Sequence, residues 1–185
     1  MSATNQSRDE HKQLHRLEKI MYKCADELEK KKEIPISDLI RITTVIYEFV
    51  EGIHHKREEN AYFTSIVNKD PSLKAETEKF TAEHQFGRNA AGQLSLHLIE
   101  WADGGKGGEK NRESLVRHLR TYAGYITPHL KQEDVFLNKV ENSVIPKEED
   151  AKMYEEFKSD SATNKHEELM IKQLDHLETR PWYID

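Results

Sequence analysis

Three interruptions constrain this chain more than anything else in it: Ile34-Pro35-Ile36, Asp70-Pro71-Ser72, and the glycine-rich run from Asp103 to Gly108. Proline inside a helix removes a hydrogen bond and clashes with the preceding turn, and glycine is entropically costly there, so helices end at such stretches. Between them apolar residues return every three or four positions, the signature of helices with one buried stripe. The pattern predicts helices over 7–31, 37–66, 71–102 and 111–141. Ser7 is the expected N-cap of the first, with Glu10 completing a capping box. Pro146, followed by Glu148, opens a fifth helical segment that reaches Leu177. Long helices with short connections are most economically an antiparallel up-and-down four-helix bundle, so the expected fold class is all-α. The bundle is expected to occupy residues 1–145, with 146–185 as a C-terminal helical extension packed on it.

Composition narrows the functions open to such a bundle. The net charge is −6, with Lys and Arg interspersed among Asp and Glu, so no basic patch marks a nucleic-acid or anionic-membrane surface. No apolar run approaches the roughly 20 residues that a membrane span needs. Cys24 is the only cysteine, which rules out an intramolecular disulfide, and the polar N-terminus does not resemble a signal peptide. A cytoplasmic protein is expected. The glycine run lacks the spacing of a phosphate-binding loop and follows a helix rather than a strand, so it is read as a connection. What composition leaves unexplained is histidine, at ten residues in 185.

Unrolling each helix at about 100° per residue places these histidines relative to the apolar stripes. On the second helix, Glu58 lies about 40° from His54, and both share the stripe of Tyr47, Val50 and Ala61. His55 falls about 100° round, with Glu48, Glu51 and Glu59, and is expected to face solvent. On the fourth helix His129 and Glu133 lie in the stripe of Leu115, Tyr122, Tyr125, Phe136 and Val140. On the third, His84 lines up with Phe80, Arg88 and Leu98, while His97 points elsewhere. Counted from the connecting turns, His54, His84 and His129 come to the same level, each roughly 18–27 Å along its helix. The first helix adds His11 or His15 to that level, and the position of its stripe favours His11. His118 shares the face of His129 but lies about 16 Å along the helix from it.

A His and a Glu at i and i+4 present a neutral nitrogen and an anionic oxygen on one face, donors suited to borderline first-row metals. Burying two carboxylates in an apolar bundle would cost several kcal/mol each unless positive charge accompanies them. A metal supplies that charge. The competing structural reading is a polar core in which Arg88 neutralises one Glu and the histidines bond to Tyr47, Tyr122 or Tyr125. His11, His54, His84, His129, Glu58 and Glu133 are too many donors for one tetrahedral zinc with an open position, and two carboxylate-bridged ions fit better. Arg88, Tyr122 and Tyr125 are expected to surround the ligands. Pro128, inside the fourth helix next to His129, is expected to kink it there.

The ordered segments "DEHKQLHRL", "HHKREENAYF", "EHQFGR" and "YITPHLKQED" resemble the hemerythrin-like, or HHE cation-binding, family over roughly residues 8 to 141. That resemblance implies a four-helix bundle holding two iron ions, with bridging carboxylates and a bridging oxo or hydroxo group. It implies His11, His54, Glu58, His84, His129 and Glu133 as ligands, although Fe/Mn or Zn suits the same donors. Oxygen-carrying members have a second histidine on the third helix where this chain has Arg88, so one metal is expected to lack a nitrogen, which argues against simple O2 carriage. Classical members use an Asp five residues after the last His, but Asp134 lies off the stripe, which favours Glu133. The functions implied are binding of O2, NO or peroxide, or iron sensing, storage or detoxification. An enzyme acting on peroxide or NO and a metal-responsive module for a protein partner are the alternatives.

Overall fold

The computed structural model describes residues 1–102 and 108–184. The glycine-rich connection falls almost wholly outside them. Among the described residues every regular element is a helix and there is no strand. Helix α1 (Ala3–Glu29) starts five residues earlier than expected, because Ser2 rather than Ser7 caps it by accepting from the Asn5 amide. Ser7 and Glu10 are instead buried inside the helix.

The second helix begins as α2 (Ile36–Val45), passes through two π-helical segments (Ile46–His55 and Glu58–Tyr62), and finishes as α3 (Phe63–Lys69). At Asp70 the side chain accepts from the Ser72 amide, and a short turn of 3₁₀ helix leads into α4 (Lys74–Ala102). Helix α5 (Gly108–Ser143) runs on through Pro128.

Contacts between these helices set their directions. Arg8 reaches Glu141 at 2.6 Å and Arg120 reaches Asp26 at 2.8 Å, so α1 and α5 run in opposite senses. Lys139 pairs with Glu76, and Asn111 bonds the His97 carbonyl, which opposes α4 to α5. Tyr47 meets Ser95 while Glu59 meets Arg88, which opposes α4 to the second helix.

The expected fifth segment is two helices, α6 (Lys147–Ser159) and α7 (Ser161–Glu178), followed by a short α8 (Pro181–Ile184). Asp160 makes the break, its carboxylate accepting from the Thr163 amide as the N-cap of α7. Met170, Leu174, Leu177 and Trp182 join the same apolar cluster as Leu17, Ile20, Ile42 and Leu119. The buried Asp38 carboxylate accepts from Arg180 Nε and Trp182 Nε1, which pins the C-terminal turn to the start of α2. Among the described residues, no helix is long and apolar enough to cross a membrane.

Two apolar clusters fill the interior. The larger contains Leu14 to Leu28, Leu39 to Ile53 and Leu115 to Leu130, and the smaller gathers Tyr62, Phe63, Ile66, Phe80, Phe136 and Val140. Between them lies a buried polar slice.

Candidate metal centre

The slice is built from one level of four helices. His11 comes from α1, His54, His55 and Glu58 from the second helix, His84 from α4, and His129 and Glu133 from α5, and none is more than 3% exposed. Both histidines of the doublet face inward, which corrects the expectation that His55 is solvated. The reason is local backbone geometry. A π segment closes its hydrogen bonds over five residues instead of four, so it turns less per residue than the α spacing assumes. By His54 and His55 the apolar face has slipped enough for adjacent side chains to point at the core. His55 then stacks on His84, with ring centroids 3.7 Å apart.

Every one of these imidazoles is held from behind by a carboxylate. The Nδ1 atoms contact Asp134 (His11, 2.8 Å), Glu10 (His54, 2.9 Å), Glu51 (His55, 2.9 Å), Glu59 (His84, 2.8 Å) and Glu83 (His129, 2.8 Å). An ionised carboxylate only accepts, so each Nδ1 carries the donated proton and each Nε2 is turned inward. Among the described residues, the Nε2 atoms of His11, His54, His55 and His129 have no hydrogen-bond partner, and neither do the two oxygens of Glu58 and Oε2 of Glu133. Orphaned buried acceptors of this number are costly unless something positive joins them.

The inward donors form two adjoining groups. His55, His84 and His129 make one, and His11, His54, Glu58 and Glu133 make the other, each compact enough to hold one metal ion. The two carboxylates reach across. Glu58 Oε2 lies 3.5 Å from Nε2 of both His54 and His84. Glu133 places Oε1 3.3 Å from His84 Nε2 and Oε2 3.3 Å from His129 Nε2 and 3.5 Å from His11 Nε2. Nitrogen and carboxylate donors in this ratio fit first-row divalent metals.

Electrostatics agrees with a site made for a cation. Burial opposes charge on His84, yet Glu133 and Glu59 raise its pKa to about 10. Burial likewise opposes charge on His11, but Asp134, Glu133 and Glu58 carry its pKa well above the ordinary range. Burial would raise Glu133, and the surrounding His129, His11 and His84 hold it well below the usual carboxylate range instead. In His55, burial followed by the neighbouring His84 and His54 pushes the pKa well down, which keeps the imidazole neutral. Neutral imidazole is the metal-binding form.

The chain belongs to the hemerythrin HHE cation-binding family. The model of the hemerythrin HHE cation-binding domain matches residues 2–140, three quarters of the chain and every residue of the slice. Comparisons with curated proteins and with solved structures gave no match. The family is defined by cation binding, and the two groups of side chains that could hold a metal sit within the matched region.

Within this hemerythrin-like site the other expected residues are placed as follows. His15 is on the surface, bonded to Glu18, so of the two candidates on α1 only His11 enters the slice. Arg88 does not neutralise Glu58 or Glu133. Its guanidinium bridges Glu51 and Glu59, the carboxylates behind His55 and His84, at 3.1–3.2 Å. Tyr47 is 40% exposed and bonds Ser95, which leaves no role for it in a buried histidine network. Tyr125 stacks on His129 at 4.9 Å, and the buried hydroxyls of Tyr122 and Tyr125 have no partner among the described residues. A Cβ on Gly87 would stand 2.9 Å from the Tyr125 ring, so only glycine admits that ring here. His118 stacks on His97 away from the slice.

Sequence spacing missed His55 and the five supporting carboxylates. A signal for part of this was present. "HHKREE" contains two overlapping i, i+4 pairs, His54 with Glu58 and His55 with Glu59, and a doublet of pairs suits a helix that shows two neighbouring faces to the core. Asp134 lies off the stripe and its side chain is 47% exposed, yet it reaches His11 Nδ1 from there.

Proposed function

We propose that this protein is a non-haem di-iron protein, an up-and-down four-helix bundle of hemerythrin type that binds O2, NO or peroxide in a sensing, storage or detoxifying role. The observation that carries this reading is the set of five imidazoles, each fixed at Nδ1 by a carboxylate, with Nε2 turned toward Glu58 and Glu133. Such carboxylate supports fix ring orientation and raise the basicity of a metal-binding nitrogen. His55, His84 and His129 would hold one ion and His11 and His54 the other, with Glu58 and Glu133 shared. His55 thereby supplies the nitrogen that Arg88 on α4 does not, which removes the argument against reversible ligand binding. A mixed Fe/Mn pair suits the same donors. When bound, the metal pair supplies reversible one-electron chemistry and an open position for a small ligand. A cytoplasmic setting is part of this proposal, in keeping with a lone buried thiol at Cys24.

Metal analysis of protein purified from iron-replete cells, combined with its ultraviolet-visible spectrum, tests the reading. Two iron ions per chain and near-ultraviolet charge-transfer bands that change with azide or NO are expected. Trace metal, or a featureless spectrum after iron loading, sinks it.

A second reading, turnover of peroxide or NO, is favoured by one feature. The Tyr125 ring lies against His129, and its buried hydroxyl, unpartnered among the described residues, can donate to an oxygen-bearing ligand. Steady peroxide consumption that falls in Tyr125→Phe at unchanged iron content would support it, whereas identical rates would count against it.

A further inference from the structure

Behind His54 the polar slice does not end at its supporting carboxylate. Glu10 accepts from His54 Nδ1 with one oxygen, and its other oxygen accepts from Arg57 Nη1 and from Gln6 Nε2. Arg57 Nη1 also donates to Glu167 at 2.8 Å, and Gln6 Nε2 donates to the other oxygen of Glu167 at 3.0 Å. All four residues are buried, none more than 9% exposed. Glu167 belongs to α7, beyond the stretch that matches the family model. Arg57 makes two further contacts with the C-terminal helices, to Asn164 on α7 and over the Phe157 ring of α6 at 5.4 Å.

We propose that Glu167 is a positioning residue for the metal site, acting on His54 through Arg57 and Glu10, and that metal binding and docking of α7 are therefore coupled. The inference rests on the metal reading above. Its direction follows from charge. One guanidinium is shared between two carboxylates, and with α7 docked Glu167 takes part of it. Remove Glu167 and the whole positive charge falls on Glu10. Glu10 then holds the His54 Nδ1 proton less strongly, and the opposite nitrogen becomes a poorer metal donor. Docked α7 thus favours bound metal, and by linkage bound metal favours docked α7 to the same extent. The remaining contacts of α7, including the ion pairs from Arg16 to Asp175 and Glu178, keep the helix on the bundle when this one is lost.

The test uses the full chain loaded anaerobically with ferrous iron. Two quantities are read: the rate of iron release to a chelator, and hydrogen exchange of residues 161–178 with and without iron. The variants are Glu167→Gln, Glu167→Asp as a version that keeps the charge, and Glu168→Gln as a control on the exposed face of α7. Glu167→Gln is expected to take up as much iron as the wild type but release it about tenfold faster, the lower end of what outer-shell partners contribute. Iron should slow exchange in α7 of the wild type and of Glu168→Gln, and should do so much less in Glu167→Gln, with Glu167→Asp between. Release rates and exchange that are indifferent to Glu167, in protein that takes up iron, overturn the coupling alone. A wild type that takes up no iron overturns the metal reading and the coupling with it.

Discussion

Two stretches of this chain carry the same spacing and use it differently. His54 to Glu58 on the second helix and His129 to Glu133 on α5 are both His-x-x-x-Glu, and all four side chains enter the slice. On α5 the helix is regular, the residue after the histidine is Leu130, buried in the apolar cluster, and the outer neighbour Asp134 only supports His11. On the second helix the backbone is π-helical and the residue after the histidine is a second imidazole facing the site. The comparison teaches that i, i+4 spacing brings a pair together in either geometry. Backbone winding decides how many of its neighbours come along.

The largest effect should come from testing the doublet against the single histidine. His55→Ala is expected to reduce bound iron as severely as His54→Ala or His129→Ala, measured by metal content after gel filtration. Metal content untouched by His55→Ala would return the second helix to the status of α5, with one inward histidine. Next, the carboxylates behind the rings should matter about equally on the two helices. Glu51→Gln behind His55 and Glu83→Gln behind His129 should each weaken iron binding about tenfold in chelator competition. A loss confined to Glu83→Gln would mean that His55 is not a ligand.

The backbone itself offers a smaller contrast. Gly92, in regular α4, has nothing within 4 Å of an added Cβ, so Gly92→Ala should stabilise by about 0.5–1 kcal/mol. Gly52 lies in the π segment, where an added Cβ would stand 3.1 Å from the Tyr47 carbonyl oxygen. Gly52→Ala should therefore lack that gain and lower iron affinity, as the winding that aims His54 and His55 is disturbed. Thermal melts and iron titrations of the two variants would check this, and equal stabilisation with unchanged affinity would show that the π winding is not needed.

The smallest effect falls at the far end of α1, remote from both motifs. Hydrogen bonds from Lys32 and Lys30 lower the Glu27 pKa to about 2. A carboxylate with a depressed folded-state pKa stabilises above its unfolded value, ordinarily near 4.3, and the contribution is lost as pH falls through the folded value. Glu27→Gln should lower the melting temperature slightly at pH 7, and the deficit should close between about pH 4 and pH 2. A deficit that persists unchanged below that window would mean that the ion pairs are not its source.

Much of this was legible in the residues. Asp70-Pro71-Ser72 and Pro146 ended and began helices as their chemistry requires, since local backbone restrictions need no tertiary partner. His84 and His129 were placed correctly because α4 and α5 keep the α spacing on which the projection depends. His55 was misplaced because winding is not written in apolar periodicity alone. The supports Glu10, Glu51, Glu59, Glu83 and Asp134 were illegible for another reason. Four of the five bond a histidine on a different helix, and Glu51 bonds His55 on its own helix at i, i+4, a pair that counts as support only once His55 is known to face the core.

By itself the sequence determined that the chain is helical, where most of its helices break, and that His54, Glu58, His84, His129 and Glu133 share one level of the core with either His11 or His15. Those properties follow from local conformational preference and from counting residues along a regular helix. Only the tertiary structure decided that His55 joins them, that each imidazole is gripped from behind, and that the C-terminal helix reaches His54 through Arg57. These depend on the rotation of one helix against another and on side chains more than a hundred residues apart. Helix packing, together with long-range hydrogen bonds and ion pairs, sets such relations.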